Sequence, residues 1–196
     1  MITNFLRPPT SLSEWIADVL RVVGLLGVVV AGIWLSPTDA GILALTLPAL
    51  VLPRFIGARA GFDIVFSVVV LVAAWSNILD LYRTLIGWDK AIHLLCTAVI
   101  APMVYLLLAH CEIVPRPGHD GVRTRVAVTM STTIGLAVSA VWEMIEWVGF
   151  VVFTDEIYVE YHDTIGDMAI GGLGALLAGF VLSRARLTRT LPLSHR

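Results

Sequence analysis

Three pairs of ionisable residues interrupt apolar stretches of this chain at helical spacing: Asp89 and His93, Glu143 and Glu146, and Asp163 and Asp167. Side chains three or four positions apart project from one face of a helix, so each pair forms a matched couple. Each couple also continues a small or polar stripe. Asp89, His93, Thr97 and Ala101 form the first, and Thr132, Gly135, Ser139, Glu143, Glu146 and Gly149 the second. In the third, Asp163 and Asp167 lead into Gly171, Gly174 and Ala178. Small residues allow close helix approach in a membrane, so these acids are expected to face protein and not lipid. Asn77, Asp80 and His162 fall at neighbouring helix ends, which predicts that six carboxylates and up to two imidazoles converge at one depth.

Energetics constrain what such a cluster does. One Asp at the centre of a membrane helix costs about 2.5 to 3.5 kcal/mol on insertion scales, and less near the interface. Several uncompensated carboxylates would be prohibitive, and Arg83 and Lys90 supply at most two positive charges. Three solutions follow. A divalent metal satisfies several acids at once; His with Asp and Glu suits zinc, manganese or iron, and magnesium or calcium if the imidazoles stay out. Alternatively the acids share protons in a relay, or they form a structural network of interhelical hydrogen bonds. Taken singly, Asp89 and Asp163 also read as helix N-caps and His93 as a buried, satisfied histidine. Glu143 and Glu146 lie mid-helix beside Trp142 and Trp147, where no cap is needed, and Asp167 lies inside its helix.

The elements that must position these groups are membrane spans. Of the 196 residues 58% are hydrophobic and only 14% charged, where soluble domains have about 45 to 50% and about 25%. Mean hydropathy is +0.88. The chain is therefore read as an all-α polytopic membrane protein. A net charge of −2 excludes the concentrated basic patch that a nucleic-acid partner needs. A bilayer core of about 30 Å requires about 20 mainly apolar residues per helix. Six stretches approach this: Ile16–Leu35, Ala40–Ile56, Gly61–Leu79, Ala91–Ala109, Val126–Phe153 and Thr164–Ser183. Residues 1–15 are read as an N-terminal cytoplasmic segment, 16–183 as a six-helix transmembrane bundle, and 184–196 as a basic cytoplasmic tail. The first apolar stretch is a retained span, because its n-region carries one Arg and Ser36-Pro37-Thr38-Asp39-Ala40 is a poor cleavage site. No internal repeat supports an inverted-repeat transporter.

Basic residues orient the spans. Arg7, Arg54, Arg59, Arg116, Arg123, Arg125, Arg184, Arg186, Arg189 and Arg196 fall on one side, and only Arg83 and Lys90 on the other. Both termini are therefore expected in the cytoplasm and the acidic cluster at the outer face of a bacterial plasma membrane. Trp34, Trp75, Trp88, Trp142 and Trp147 then mark the outer boundary as an aromatic belt. Arg21 reads as a snorkelling anchor and Asp63 as a headgroup-level ion pair near Arg59. Asp155, Glu156 and Glu160 read as a solvated loop, and His110, His119 and His195 carry no assigned role. Pro48 and Pro102 are candidate kinks. Cys96 and Cys111, about 22 Å apart along one helix at 1.5 Å per residue, cannot bridge within the chain. There is no G-x-S-x-G, P-loop, H-E-x-x-H or dinucleotide fingerprint. Ser139 lacks a base placed by sequence, which argues against serine-nucleophile chemistry.

The segments Trp88-Asp89-Lys90-Ala91-Ile92-His93, Trp142-Glu143-Met144-Ile145-Glu146 and Asp163-Thr164-Ile165-Gly166-Asp167 resemble the YjdF-like family of small bacterial inner-membrane proteins over Phe62 to Leu182. The D-K-x-x-H element more distantly resembles VanZ-like proteins, associated with glycopeptide resistance at the cell surface. The chain departs from that pattern in its Glu-x-x-Glu pair and in Asp167. The YjdF-like resemblance implies the architecture and the importance of the acids but names no reaction. The leading expectation is a divalent metal site for hydrolysis or modification of a lipid or lipid-linked envelope substrate. His93, Glu143, Glu146, Asp163 and Asp167 would be the metal ligands, with Asp89 orienting His93 or acting as general base, and Glu143 taking part in the chemistry. Arg83 or Lys90 would meet a phosphate. The alternatives are a proton- or cation-coupled small-solute transporter using the same carboxylates, and a non-catalytic envelope factor.

Overall fold

A computed structural model describes residues 2–116, 124–152 and 159–189. Six helices in it are long and apolar enough to cross a membrane. In chain order the elements are α1 (Ile2–Phe5), α2 (Leu12–Trp34), α3 (Pro37–Ile56), α4 (Ala60–Ile78), α5 (Leu81–Thr84), α6 (Trp88–His110), α7 (Thr124–Val152) and α8 (Tyr161–Arg184). All six expected spans are present, and four begin about a turn earlier than hydropathy alone places them or nearly so, because polar residues start helices. The Ser11 hydroxyl accepts from the Glu14 amide at the head of α2. Ser36 and Asp39 form a reciprocal capping box around Pro37 at the head of α3, so part of the expected polar break is helix. Helices α6 and α8 likewise open at Trp88 and Tyr161, which places Asp89 and Asp163 in first turns.

The chain divides into two compact units, Met1–Leu71 with Ala185–Arg196, and Val72–Arg184, the division falling inside α4. In the first unit α1 and α2 pack on α3. The residues after α8 pair with the α3–α4 junction: the Arg59 amide donates to the Leu187 carbonyl (2.8 Å) and the Arg189 amide to that of Gly57 (3.0 Å). An ion-pair network runs through this unit. Arg21 clamps Asp63 with both oxygens at 2.6 and 2.7 Å and reaches Asp18 at 3.0 Å, Arg54 reaches Asp18 at 2.7 Å, and Glu14 accepts Arg7 and Arg189 at 2.7 Å each. Asp63 is therefore an ion pair as expected, but its partner is Arg21 on α2 and not the neighbouring Arg59.

The second unit is built on mutual packing of α6, α7 and α8. Lipid tails are as apolar as leucine, so what drives these helices together is close backbone approach and interhelical hydrogen bonding. A methyl group placed on Gly135 would strike Ala175, and one on Gly174 the Leu94 carbonyl. The Ser131 hydroxyl, fully buried, donates to the Ala175 carbonyl at 2.9 Å. The expected small-residue stripes are therefore the packing seams. Helix α6 continues through Pro102, as α3 does through Pro48 and Pro53. Cys96 and Cys111 are both unbridged.

Candidate metal centre

The cluster is positioned by three helix ends. After α5 the chain turns through Gly87, whose φ of 76° lies in the left-handed region that glycine enters without penalty, and α6 starts at the next residue. This start is pinned twice within the second unit. The Trp88 indole N–H donates to the Ser76 hydroxyl (2.9 Å) and the Tyr82 hydroxyl to the Ala73 carbonyl (2.9 Å). Burial pushes the Tyr82 hydroxyl far above its ordinary titration range, so it stays a donor. Asp89, Lys90 and His93 then lie within one turn of α6, Glu143 and Glu146 near the end of α7, and Asp163 and Asp167 in the first two turns of α8.

His93 is the hub. Its side chain is 7% exposed; Nε2 lies 3.5 Å from Asp89 Oδ1 and Nδ1 3.8 Å from Glu143 Oε1. Two trios with metal-ligand chemistry share it. Ligand atoms of Asp89, His93 and Asp167 lie within 4.8 Å of one another, and so do those of His93, Glu143 and Glu146. Asp89 is no N-cap: that position belongs to Gly87, and Asp89 faces the imidazole one turn on. Nor is His93 a satisfied histidine in the ordinary sense, since each ring nitrogen faces a carboxylate beyond normal hydrogen-bond length.

The two halves differ in how their charge is balanced. Lys90 Nζ donates to Asp163 Oδ1 (3.1 Å) and lies 3.7 Å from Asp167 Oδ1. On the other side no lysine or arginine pairs with Glu143 or Glu146 among the described residues. Glu146 Oε1 accepts the Trp142 indole N–H at 2.8 Å. Glu143 Oε1, Asp167 Oδ1 and Ser139 Oγ are buried without any hydrogen-bond partner. Buried polar atoms are paired in the great majority of cases, and a carboxylate oxygen left bare is the costliest exception. Ser139 also packs against Gly171.

Asp163 stands apart from both trios, joined to the cluster through Lys90. Two expected members do not join. Asp80 adopts a left-handed turn conformation (φ 54°) and lies 3.8 Å from Arg83, both largely exposed, because the chain reverses there into α5. His162 is exposed and packs edge-on against Tyr161, since it falls on the opposite side of α8 from Asp167. Asn77 is exposed as well. Two partners were not foreseen from sequence. Trp142 was legible as an i, i+4 donor to Glu146, but not as more than a belt residue; Ser76 carries no signal that would mark it as the acceptor of Trp88. Asp155, Glu156, His119, His195, Arg123, Arg196 and Phe153 lie outside the described residues.

These features define a multi-pass, all-helical membrane protein with a buried carboxylate and imidazole cluster among three of its spans. More particularly, the chain belongs to the family described as predicted membrane protein (DUF2238), whose model matches residues 2–188. Comparison with curated proteins and with solved structures finds no match.

Proposed function

We propose that this protein holds one divalent metal ion between His93, Glu143 and Glu146 and uses it in the hydrolysis or modification of a lipid or lipid-linked substrate of the bacterial cell envelope. The observation that carries this reading is Glu143 Oε1: its side chain is 10% exposed, the atom has no hydrogen-bond partner, and it points to His93 Nδ1 at 3.8 Å. Two oxygens and a nitrogen within 4.8 Å of one another, without a cation among them, form a donor set that fits zinc, manganese or iron.

Each residue then has a stated task. Asp89, with Oδ1 3.5 Å from Nε2, favours the tautomer protonated at Nε2 and so leaves the Nδ1 lone pair for the metal. Trp142 donates to Glu146 Oε1 and so holds its carboxylate in place. Glu143 and Glu146 contribute the charge. A metal with three protein ligands keeps open positions, and when bound it supplies Lewis-acid polarisation of a substrate oxygen or a water of lowered pKa. Lys90, half-exposed at the rim, meets the anionic part of the substrate. The basic residues at the opposite helix ends support an orientation with cytoplasmic termini and an outward-facing cluster, and the three motifs' likeness to YjdF-like proteins supports an inner-membrane setting.

Metal analysis of the purified full-length protein tests the reading. About one equivalent is expected, with loss on Glu143→Gln while the protein stays folded. Absence of stoichiometric metal, with no change in the variant, overturns it. Turnover in detergent supports the enzyme, whereas pH-dependent solute flux in proteoliposomes that requires Glu143 or Asp167 would replace it with a cation-coupled transporter.

A further inference from the structure

Trios of potential ligand atoms lie on both sides of one imidazole, yet the two sides are furnished differently. On the Glu143 side no ion pair with a lysine or arginine is formed by Glu143 or Glu146 among the described residues. On the Asp167 side the chain brings its own: Lys90 precedes His93 by three residues on the same face of α6, and its ammonium lies 3.1 Å from Asp163 and 3.7 Å from Asp167. Asp167 is the most deeply buried acid of the cluster, 3% exposed, and its Oδ1 accepts no hydrogen bond although it points to Lys90. Asp89, His93 and Asp167 would otherwise complete a second trio of metal-ligand geometry.

From this juxtaposition we infer that Lys90 is a tethered second cation: its ammonium takes the place of a second metal ion beside Asp89 and Asp167, and thereby makes the centre mononuclear. The inference rests on the proposed metal site and deepens it. The chemistry is consistent on both sides of the ring. A neutral imidazole has one lone pair, so a metal at Nδ1 leaves Nε2 protonated toward Asp89, and the charge of Asp163 and Asp167 must be met by something other than a His93-bound ion. Lys is suited to this role because its ammonium is a compact point charge on a flexible stem that fits beside two carboxylates without demanding a fixed fork geometry. Gly166 lies alongside that stem, where a side chain at this position would touch the Lys90 Cε. Removing the ammonium leaves Asp163 and Asp167 without their fixed cation, so that a second ion is held there by carboxylate oxygens while Nε2 keeps its proton.

The test is metal stoichiometry and manganese EPR on the full-length protein in detergent, loaded with Mn(II) and freed of excess. Wild type is expected to hold about one equivalent with a mononuclear six-line spectrum, and Lys90→Met about two equivalents with the spin-coupled spectrum of neighbouring ions. Lys90→Arg, which keeps the charge, should hold about one. A second equivalent in wild type, or a Lys90→Met protein that binds one ion and stays uncoupled, overturns the inference while leaving the metal site standing. Wild type that binds no ion overturns both. Lys90 is 47% exposed, so its replacement by an unbranched chain of similar length leaves packing intact, and thermal unfolding of the variant checks that it is folded.

Discussion

Two regions of this molecule bury carboxylates among apolar helices, and they settle the charge in opposite ways. Among the described residues of the first unit, both buried acids meet a guanidinium, Asp63 taking Arg21 Nη2 on both oxygens and Glu14 taking Arg7 and Arg189, and half-buried Asp18 takes Arg21 and Arg54. Five acid–base contacts at 3.0 Å or less leave no carboxylate oxygen there buried without a partner. In the second unit, among the described residues, Lys90 pairs with Asp163 and Asp167 alone of the cluster's five acids, and the separations around His93 are 3.5 and 3.8 Å. The contrast separates structure from function. An ion-pair network compensates its own charges and holds helices, whereas bare carboxylate oxygens in a low dielectric call for a cation from outside.

The comparison can be broken most forcefully in the first unit. Arg21→Met leaves Asp63 as an uncompensated buried charge and is expected to cost about 3 to 5 kcal/mol, read as loss of folded protein in thermal or denaturant unfolding in detergent. Adding Asp63→Leu to that variant should restore most of it, since removing both charges of a buried pair is often neutral. A single variant as stable as wild type would mean that the pair is ornamental. Next in size is packing in the second unit. Gly174→Ala sets a methyl against the Leu94 carbonyl backbone and should cost about 1 to 3 kcal/mol in the same measurement, whereas Gly41→Ala, which meets nothing within 4 Å, should not. Sharper, and smaller in stability, is Asp89→Asn. It removes the carboxylate that orients His93 and should weaken divalent-metal binding by about 10- to 100-fold in titration calorimetry while unfolding stays near wild type. An unchanged affinity would remove Asp89 from the site. The smallest effect belongs to Ser139→Ala, which deletes a buried hydroxyl that makes no hydrogen bond. It should be neutral or stabilising by about 1 kcal/mol, and a clear loss of stability or metal would show that Ser139 has a partner in the working protein.

How legible this was from the chain differs between the two regions for a physical reason. The carboxylate pairs of the second unit stand at i, i+3 or i, i+4 spacing in long apolar runs, so local periodicity alone places each couple on one helix face and forecasts which faces seek protein. The Arg21–Asp63 pair spans 42 residues and no periodicity connects its ends. Arg21 read locally as a headgroup anchor, because a basic residue near a helix end snorkels unless a partner is supplied from elsewhere. Helix starts also lie earlier than hydropathy places them, since hydropathy averages over the polar first turns that Ser11, Ser36 and Asp39 cap.

The amino-acid order by itself determined that this chain enters a membrane, how many apolar spans it has, and which helix faces carry acids, because composition and a period of 3.6 residues act within each helix. Only the tertiary structure decided which faces meet. It drew His93 between Asp89 and Glu143, turned Asp80 and His162 away, and set Lys90 against one half of the cluster alone. Such pairings depend on close glycine contacts between α6, α7 and α8 that fix helix register to within a turn, and register across separate helices is a property of packing that no single segment encodes.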